Sequence, residues 1–425
     1  MSGPMPPAIP LPRMLTVQQR FNDGCLVDPV GELRRALHGL PQAVRGQLRG
    51  KRICVGLGSR GIQGLQALAM ETVRWLRAQG AEPFIMPAMG SHGGASEEGQ
   101  AAVLRGYGIT AGSMGVPILA DMRSEQASSL KDGTPVFVAR EALTADGILV
   151  LNKCKPHSDF RGPHESGVVK MLALGLGKRE GAAALHAGGF DGFSARIREA
   201  AEAVMRRLPL VMAIGVAENA HGRLCALRGA AGEGIFPMDA ALLCIARSRM
   251  ASIMVRDIDL LIIDEIGKDI SGNGFDPNIV GRAHSPGFDN ALRVKRLFIR
   301  GLSAQSCGNA AGLSLADVTT RRCIAQVDVS ATRVNALAAG LPQDAKLPPW
   351  AESDEQAIRQ MLHSCPDIDL HDPRVVRIRS TAALTRIEVS EAFLPELAGA
   401  DALDILDGPA TMAFDAEGGL PPLMA

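Results

Sequence analysis

The chain has 425 residues, enough for two domains, since a domain usually holds about 100–200 residues. Hydrophobic residues make up 46% and charged residues 21%, a composition that excludes disorder on a large scale. Lysine plus arginine and aspartate plus glutamate number 45 each, which excludes a strong field toward nucleic acid or an anionic membrane. We therefore expect a small-molecule partner, and the sequence leaves a homo-oligomer open.

Targeting and membrane segments are not predicted. The N-terminus Met1–Pro7 has no basic start followed by an apolar stretch, and no window reaches about 18 consecutive apolar residues. The eight cysteines are scattered, without the Cys-x-x-Cys pairs of a zinc ribbon. We expect a cytoplasmic protein with reduced cysteines.

After a Pro-rich arm at 1–13, the first half of the chain alternates short apolar strands with helical patterns. The strands are predicted at 53–55, 83–86, 116–119, 135–138, 147–151 and 209–217. The helices are predicted at 65–76, 96–105, 193–206 and 238–249. Between them, residues 152–190 are rich in Gly, His and Lys, as is typical of segments at the carboxyl edge of a sheet. The alternation predicts an α/β domain with a largely parallel sheet.

A second series of elements follows a junction at 250–258. Strands are predicted at 259–264, 296–300, 374–379 and 385–390, helices at 314–340 and 353–363, and a Gly/Asn/Pro-rich loop at 267–288. We therefore predict two αβα domains, 14–250 and 251–395, with the active site in the cleft between them. The tail 396–425 is expected to pack back on the N-terminal domain.

The turn Gly56–Gly61 matches G-x-G-x-x-G between a predicted strand and a predicted helix. Glycines let the backbone approach a phosphate, and a helix N-terminus offers free N–H groups, so Gly58, Ser59 and Gly61 are candidate phosphate contacts. A dinucleotide site also needs an acid at the end of the second strand, whereas Glu82 stands at its start. A phosphate site is favoured over a plain tight turn, and an NAD site is the least favoured.

Two further segments concentrate ionisable side chains. His92 stands among small residues in a loop just before the helix that Ser96 caps. Residues 153–170 are dense in lysine and histidine, and Lys170 falls between two apolar residues, a setting that favours the neutral, nucleophilic amine. The alternatives are a structural loop histidine and a solvated basic loop.

With His186, these groups amount to loop histidines and a lysine, which suit a metal site or acid–base chemistry. The chain has no H-E-x-x-H zinc motif and no Gly-x-Ser-x-Gly nucleophile turn. The residues alone do not choose between a metal site and an acid–base site.

The order of these residues resembles that of the nickel-pincer lactate racemases, over roughly 15–400. The resemblance rests on Arg60, Gly90-Ser-His92, Lys155-Pro-His157-Ser-Asp-Phe-Arg-Gly, Glu165-Ser-Gly, Lys170, Gly175-Leu-Gly-Lys178 and His186, and in the second domain on Asp264-Glu-Ile-Gly-Lys268, Gly272-Asn-Gly-Phe-Asp276-Pro-Asn278 and Gly308-Asn-Ala-Ala-Gly.

The resemblance implies a pyridinium mononucleotide with two sulfur groups, joined to Lys170 as a thioamide, with nickel bound by the cofactor and by His186. It implies hydride transfer at C2 of a 2-hydroxy acid, with His92 and His157 as the two bases and Arg60 beside the cofactor ring. The glycine turn would then hold the phosphate of the mononucleotide.

This chain departs from the typical lactate enzymes at several points. Their Asp-x-Thr-Arg reads Leu57-Gly-Ser-Arg60 here, and a longer step to the lysine makes His164 a rival to His157. For the substrate carboxylate we predict Arg282 and Lys268, with Asn278 nearby. The expected function is a racemase or epimerase of a 2-hydroxy acid, and these departures favour an acid larger than lactate or with a different charge. An NAD-dependent oxidoreductase and a non-catalytic binding homologue are the alternatives.

Overall fold

The computed structural model describes residues 10–285, 292–338 and 340–423. Most of the predicted Pro-rich arm (residues 1–9), the end of the predicted 267–288 loop (286–288) and the last two residues of the predicted tail lie outside the described residues. Over the described ranges, no helix is both long enough and apolar enough to cross a membrane.

The strands, in chain order, are β1 (Arg13–Gln19), β2 (Arg52–Leu57), β3 (Glu82–Pro87), β4 (Ser124–Ser129), β5 (Pro135–Ala139), β6 (Gly147–Lys153), β7 (Val211–Glu218), β8 (Leu224–Ala231), β9 (Ile258–Ile263), β10 (Val294–Ile299), β11 (Thr319–Thr320), β12 (Trp350–Ala351), β13 (Val375–Ile378), β14 (Arg386–Ser390) and β15 (Leu403–Thr411). The α-helices are α1 (Pro29–His38), α2 (Gln42–Arg45), α3 (Leu65–Ala78), α4 (Glu97–Gly106), α5 (Ala111–Met114), α6 (Arg140–Leu143), α7 (Val168–Lys170), α8 (Lys178–His186), α9 (Phe193–Arg207), α10 (Ile235–Arg249), α11 (Pro277–Val280), α12 (Arg321–Ile324), α13 (Val329–Ala338), α14 (Asp354–His363) and α15 (Leu394–Leu397).

The chain divides into two compact units, and the first is Asn22–Met250. Its central sheet has the strand order β3-β2-β6-β7-β8, in which β8 is antiparallel to β7 and the other neighbours are parallel. The strands at 53–55, 83–86, 147–151 and 209–217 are thus confirmed as a parallel sheet, while β8 was not predicted.

Helices cover both faces of this sheet, because side chains alternate along each strand. Cys54 and Val150 face a core that includes residues of α9 and α10. Their neighbours Val55 and Leu149 face a second core with residues of α1 and α3. The predicted α/β architecture is therefore observed in this unit.

Two strand predictions in this unit need correction. Residues 116–119 make only a single parallel bridge, between Ile118 and Ile85, and do not form a strand. The strand predicted at 135–138 exists as β5, but it pairs with β4 in a separate two-stranded sheet.

The second unit joins residues 10–21 to residues 251–423. Its sheet has the order β10-β9-β13-β14-β1-β15, parallel from β10 to β13 and antiparallel from there on. We had placed residues 14–21 in the N-terminal domain. The structure places them here, because β1 hydrogen-bonds to β14 on one side and β15 on the other.

The C-terminal segment also belongs to this second unit. Beyond β15, the Leu420 carbonyl accepts a 2.7 Å hydrogen bond from Arg300, and the Leu420 N–H donates to the buried carboxylate of Asp354 at 2.9 Å. The prediction that the tail packs on the N-terminal domain is therefore corrected.

The helix predicted at 314–340 is wrong over its first half. Thr319 and Thr320 form β11, which pairs with β12, and the Thr320 side chain then caps α12 by accepting from the N–H of Cys323. Within the predicted range, the short α12 and the longer α13 are the parts that form α-helix. Buried threonine hydroxyls compete with helical hydrogen bonding, which the apolar periodicity does not reveal.

Candidate active site

The carboxyl ends of neighbouring parallel strands bring the predicted residues to one edge of the N-terminal sheet. Leu57 of β2 pairs with Pro87 of β3 and with Leu151 of β6, so the loops that follow these strands start side by side. Arg60, His92 and His157 stand in those three loops. Sites in open α/β sheets form at this edge.

The glycine turn after β2 is fixed by bonds to its carbonyl groups. The hydroxyl of Tyr107 donates to the Ser59 carbonyl at 2.6 Å, and Lys153 Nζ donates to the Gly61 carbonyl at 2.6 Å. At Gly58, an added Cβ would stand 2.7 Å from Asn152 Oδ1, so a side chain there would require Asn152 to move. The turn leads into α3 after a left-handed Gly64.

The pairing of β2 with β3 does not favour a dinucleotide site. Glu82 pairs with Arg52 at the amino ends of the two strands, whereas the glycine turn follows their carboxyl ends. The acid that binds a ribose belongs at the carboxyl end, where Pro87 stands. Glu82 therefore lies at the wrong edge of the sheet for that role.

The loop after β3 brings His92 to the glycine turn. His92 Nδ1 forms a hydrogen bond with the hydroxyl of Ser59. Ser96 caps α4 as predicted, with its side chain accepting from the Gly99 N–H. Gly90 and Gly175 approach closely, as the Gly90 N–H donates to the Gly175 carbonyl at 3.2 Å.

His157 is held on two sides by local hydrogen bonds. Its backbone N–H donates to Glu165 Oε2 at 2.8 Å, and its Nδ1 accepts the Asp159 N–H at 3.0 Å. Its ring packs on Phe160, with centroids 4.4 Å apart. These contacts fix both the place and the orientation of the imidazole.

Lys170 Nζ lies 2.6 Å from His157 Nε2. Because His157 Nδ1 accepts a backbone N–H, a neutral ring carries its hydrogen on Nε2. Nε2 then donates to the lone pair of the lysine nitrogen, which requires the amine to be neutral. The geometry therefore presents Lys170 as an amine ready to form a covalent bond.

Lys170 and His186 stand in helices. The prediction that they lie in loops is therefore wrong. Lys170 ends α7, a π-helical turn follows at Met171–Gly175, and His186 is the last residue of α8. The His186 ring stacks on Phe193, with centroids 5.2 Å apart and an interplanar angle of 14°.

The electrostatics show that these groups lie within reach of one another. Burial, with help from the charge of Arg60, lowers the pKa of Lys170 to about 7, although Asp159 opposes it. Loss of hydration, then Arg60, Lys170 and His186, lower the pKa of His92. The pKa of His157 falls well below its usual value through burial and the charge of Lys170. The pKa of His186 is lowered by the same two causes.

His164, the rival to His157, has a different environment. It is 2% exposed, and its Nδ1 lies 3.0 Å from a carboxylate oxygen of Asp239. Its backbone N–H and carbonyl both bond to the Ser194 hydroxyl. His164 is thus built into the core beside the site.

Asp239 is a residue that the sequence did not single out. Its buried carboxylate accepts the N–H groups of Val168 at 2.7 Å and Val169 at 3.3 Å, which are the first two residues of the helix that presents Lys170. A Cβ on Gly167 would stand 2.1 Å from Asp239 Oδ1. An isolated acid in a distant helix gives no sequence signal for such a role.

The residues predicted to bind the substrate carboxylate belong to the C-terminal unit. Arg282 forms a 2.7 Å ion pair with Asp317 and donates to the carbonyls of Leu315 and Lys295. These bonds hold the guanidinium within the protein, which weighs against the predicted bidentate contact with a substrate. Asn278 stands in α11 and bonds to Asp276, and Lys268 is exposed in the loop after β9.

Over the described residues, no group of three or more His, Cys, Asp or Glu side chains is arranged to hold a metal ion. The predicted metal ligand His186 is a single imidazole at the end of α8. A metal ion bound to His186 would need its other ligands from a molecule other than these side chains.

Part of the chain is similar to a known family, and its fold is similar to solved structures. Residues 65–243 match a family described as a domain of unknown function (DUF362). No curated protein sequence matches.

Two solved structures are similar to this chain. A protein from Thermotoga maritima is 16% identical, with 64% of this chain and 69% of that chain covered and a TM-score of 0.45. The lactate racemase apoprotein from Thermoanaerobacterium thermosaccharolyticum is 14% identical, with 87% and 89% covered and a TM-score of 0.50. The chain thus has a lactate racemase-like α/β fold.

Proposed function

We propose that this chain is a racemase or epimerase of a 2-hydroxy acid that works with a nickel-pincer nucleotide linked to Lys170. The observation that carries the proposal is the 2.6 Å contact between Lys170 Nζ and His157 Nε2, with Arg60, His92 and His186 in electrostatic reach. The lactate racemase-like fold supports it.

The side chains present fit such a cofactor. The neutral amine of Lys170 can be acylated, and the imidazole of His186 offers a nitrogen to nickel. The glycine turn before α3, with Gly58, Ser59 and Gly61, suits the phosphate of a mononucleotide. When bound, the cofactor would accept a hydride from C2 of the substrate and return it to either face.

The protein itself would manage the hydroxyl proton. His92 and His157 come from different loops, and their lowered pKa values keep both rings neutral near pH 7. Acylation of Lys170 would turn its nitrogen from an acceptor into an N–H donor, so His157 would then carry its hydrogen on Nδ1, 3.6 Å from Asp159 Oδ2, and leave Nε2 as the proton acceptor. Arg60 would place a positive charge beside the cofactor ring. Two bases allow the substrate proton to leave and return on either side.

The geometry supports His157 rather than His164 as the second base. His157 meets Lys170, whereas the ring of His164 is bonded to Asp239 in the core. A base must reach the proton that it removes, and the bonds around His164 direct it elsewhere.

A small 2-hydroxy acid as the partner and a cytoplasmic location are part of the proposal. The eight cysteines are all unpaired, in agreement with a reducing compartment. The departure from lactate racemases at Leu57-Gly-Ser-Arg60 favours a substrate other than lactate.

The test uses 2-hydroxy acids deuterated at C2 and the chain isolated from a host that makes the cofactor. A panel of single enantiomers, lactate included, is followed by chiral chromatography and mass spectrometry. We expect at least one substrate to lose its optical purity and keep its deuterium, because a hydride does not exchange with water. Loss of chirality with complete exchange of the label for solvent hydrogen would contradict the mechanism.

A further inference from the structure

Lys178 is fully buried, with 0% of its surface exposed, and it is bonded to neutral groups. Its Nζ donates to the Pro87 carbonyl at 2.8 Å and to Gln100 Oε1 at 3.2 Å. Burial lowers the pKa of Lys178 to about 8. Its backbone is left-handed, with φ of +53°. A buried ammonium and a strained backbone are both costly, and such costs cluster at functional sites.

Gln100, the partner of Lys178, is also fully buried. Its amide nitrogen donates to the carbonyls of Gly90 at 2.8 Å and of His92 at 3.3 Å. The two ends of one amide group therefore link Lys178 to the backbone of the loop that carries His92. Replacing either end would separate the two.

The same pair joins elements that carry different parts of the site. Lys178 is the first residue of α8, which ends at His186. The loop also lies against the turn after Lys170, where a Cβ on Gly175 would stand 2.6 Å from the Ala88 carbonyl. The position of the loop is thus set by backbone packing and by the bonds of the Lys178–Gln100 pair.

We propose that Lys178 and Gln100 are positioning residues, which hold the His92 loop in a fixed place relative to α8. The side-chain hydrogen bonds of Lys178 and Gln100 go to the Pro87, Gly90 and His92 carbonyls and to each other. The pair therefore acts through the backbone of the loop. Their effect on the reaction rate rests on the proposed function, whereas the restraint on the loop does not. The two parts can therefore be tested separately.

The test variant is Gln100→Glu. A carboxylate still accepts from Lys178 and forms an ion pair with it, but it has no N–H to donate to Gly90 and His92. The chain should fold, because the buried ammonium keeps an acceptor. Lys178→Met, in contrast, leaves the Pro87 carbonyl without its donor and risks misfolding.

The matched control is Gln66→Glu. Gln66 Nε2 donates to the Gly108 carbonyl at 2.8 Å from an exposed position on α3. The control removes the same kind of bond at a different place, with the same change in charge.

The first measurement is amide hydrogen exchange of the chain without cofactor. For Gln100→Glu we expect peptides covering residues 88–96 to exchange about tenfold faster, since two hydrogen bonds to the loop are lost. Peptides from β2 and β6 should not change, and Gln66→Glu should leave the 88–96 loop unchanged. Unaltered exchange of the loop in Gln100→Glu would overturn the restraint.

The second measurement is the kinetics of the cofactor-loaded protein. Misplacing a catalytic group by about 1 Å can cost on the order of 100-fold, so we expect kcat of Gln100→Glu to fall about 10- to 100-fold. KM and nickel content should stay close to those of the unmodified chain, and the thermal midpoint should fall by no more than roughly 5 °C. A wild-type kcat despite a loosened loop would overturn the positioning role. If the variant lost nickel in proportion to its activity, the lower activity would follow from loss of cofactor, and the positioning role would be overturned.

The failure of this inference is distinguishable from failure of the proposed function. A wild-type chain that neither binds nickel nor racemises any 2-hydroxy acid removes the proposed function. The exchange measurement then still decides whether the Lys178–Gln100 pair restrains the loop.

Discussion

The protonation of Lys170 and that of His157 depend on each other. The Asp159 N–H fixes the hydrogen of a neutral His157 ring on Nε2, and that hydrogen points at the lysine nitrogen. Protonating either group would set two donors face to face in a buried place. Both groups are therefore neutral together, which suits an amine that must be acylated.

This pairing predicts the pH at which Lys170 reacts. In the chain made without cofactor, acylation of Lys170 by a dilute anhydride should rise with a midpoint near pH 7, the value to which burial lowers its pKa from 10.5. Peptide mass spectrometry measures the modified fraction. Between these two values the unfolded chain holds a proton that the folded chain lacks, so this lysine also makes stability rise with pH. A midpoint near pH 10 would contradict the assignment.

A second residue-scale prediction separates the two candidate histidines. His157→Asn should lower kcat at least about 100-fold, because a general base is lost, with unfolding free energy lowered by about 1–2 kcal/mol through the lost packing on Phe160. His164→Ala should cost about 2–4 kcal/mol in urea unfolding, since Asp239 loses a buried partner and a cavity remains. We expect His164→Ala to lower kcat less than His157→Asn does. The reverse order of the two kcat values would make His164 the base.

At the scale of elements, prediction succeeded where apolar periodicity alone decides the structure. The strands β2, β3, β6 and β7 and the helices α3 and α9 were predicted within a few residues. The strands β1 and β15 were missed, because hydrogen bonding to sequence-distant partners defines them. The strand β8 pairs with its neighbour β7, but its sequence has no β-branched residue and its faces are partly exposed. The helical turns at 168–186 were hidden by a composition rich in glycine.

The same distinction holds for the candidate site. Lys170, His157, His92 and His186 were predicted from motifs. The structure places Lys170 against His157, with Arg60, His92 and His186 in electrostatic reach. Their supports, Asp239 and Gln100, were not recognised. Each acts on backbone groups of another segment, so neither needs a motif around it.

The cap on the helix of Lys170 gives a prediction at this scale. Asp239→Ala removes the acceptor of the Val168 and Val169 N–H groups and the partner of His164, so it should destabilise the fold by about 2–4 kcal/mol. Urea unfolding measures this, with the exposed change Glu202→Gln in α9 as the control, expected within about 0.5 kcal/mol. Equal stabilities of the two variants would show that the cap contributes little.

On the scale of the whole molecule, both ends of the chain complete the C-terminal unit. β1 lies between β14 and β15, and Asp354 links α14 to the segment after β15 through Arg300 and the Leu420 N–H. A truncated version that begins after β1 or ends before β15 would leave a long unpaired edge.

The buried carboxylate of Asp354 should therefore contribute strongly to stability. Asp354→Ala leaves the guanidinium of Arg300 without this partner, and breaking such a buried pair costs about 3–5 kcal/mol. The control is Glu352→Gln, which removes an exposed ion pair with Arg321 and should change stability by less than about 1 kcal/mol. Denaturant unfolding with both variants checks the difference, and similar losses would contradict it.

The measurement that tests the central claim most directly is the mass of the intact chain together with its nickel content, from a host able to make the cofactor. We predict a covalent mass increase located on Lys170 by peptide mapping, about one nickel per chain, and loss of both in Lys170→Arg. An unmodified Lys170 and no bound nickel, in a host that loads a known lactate racemase, would contradict the account.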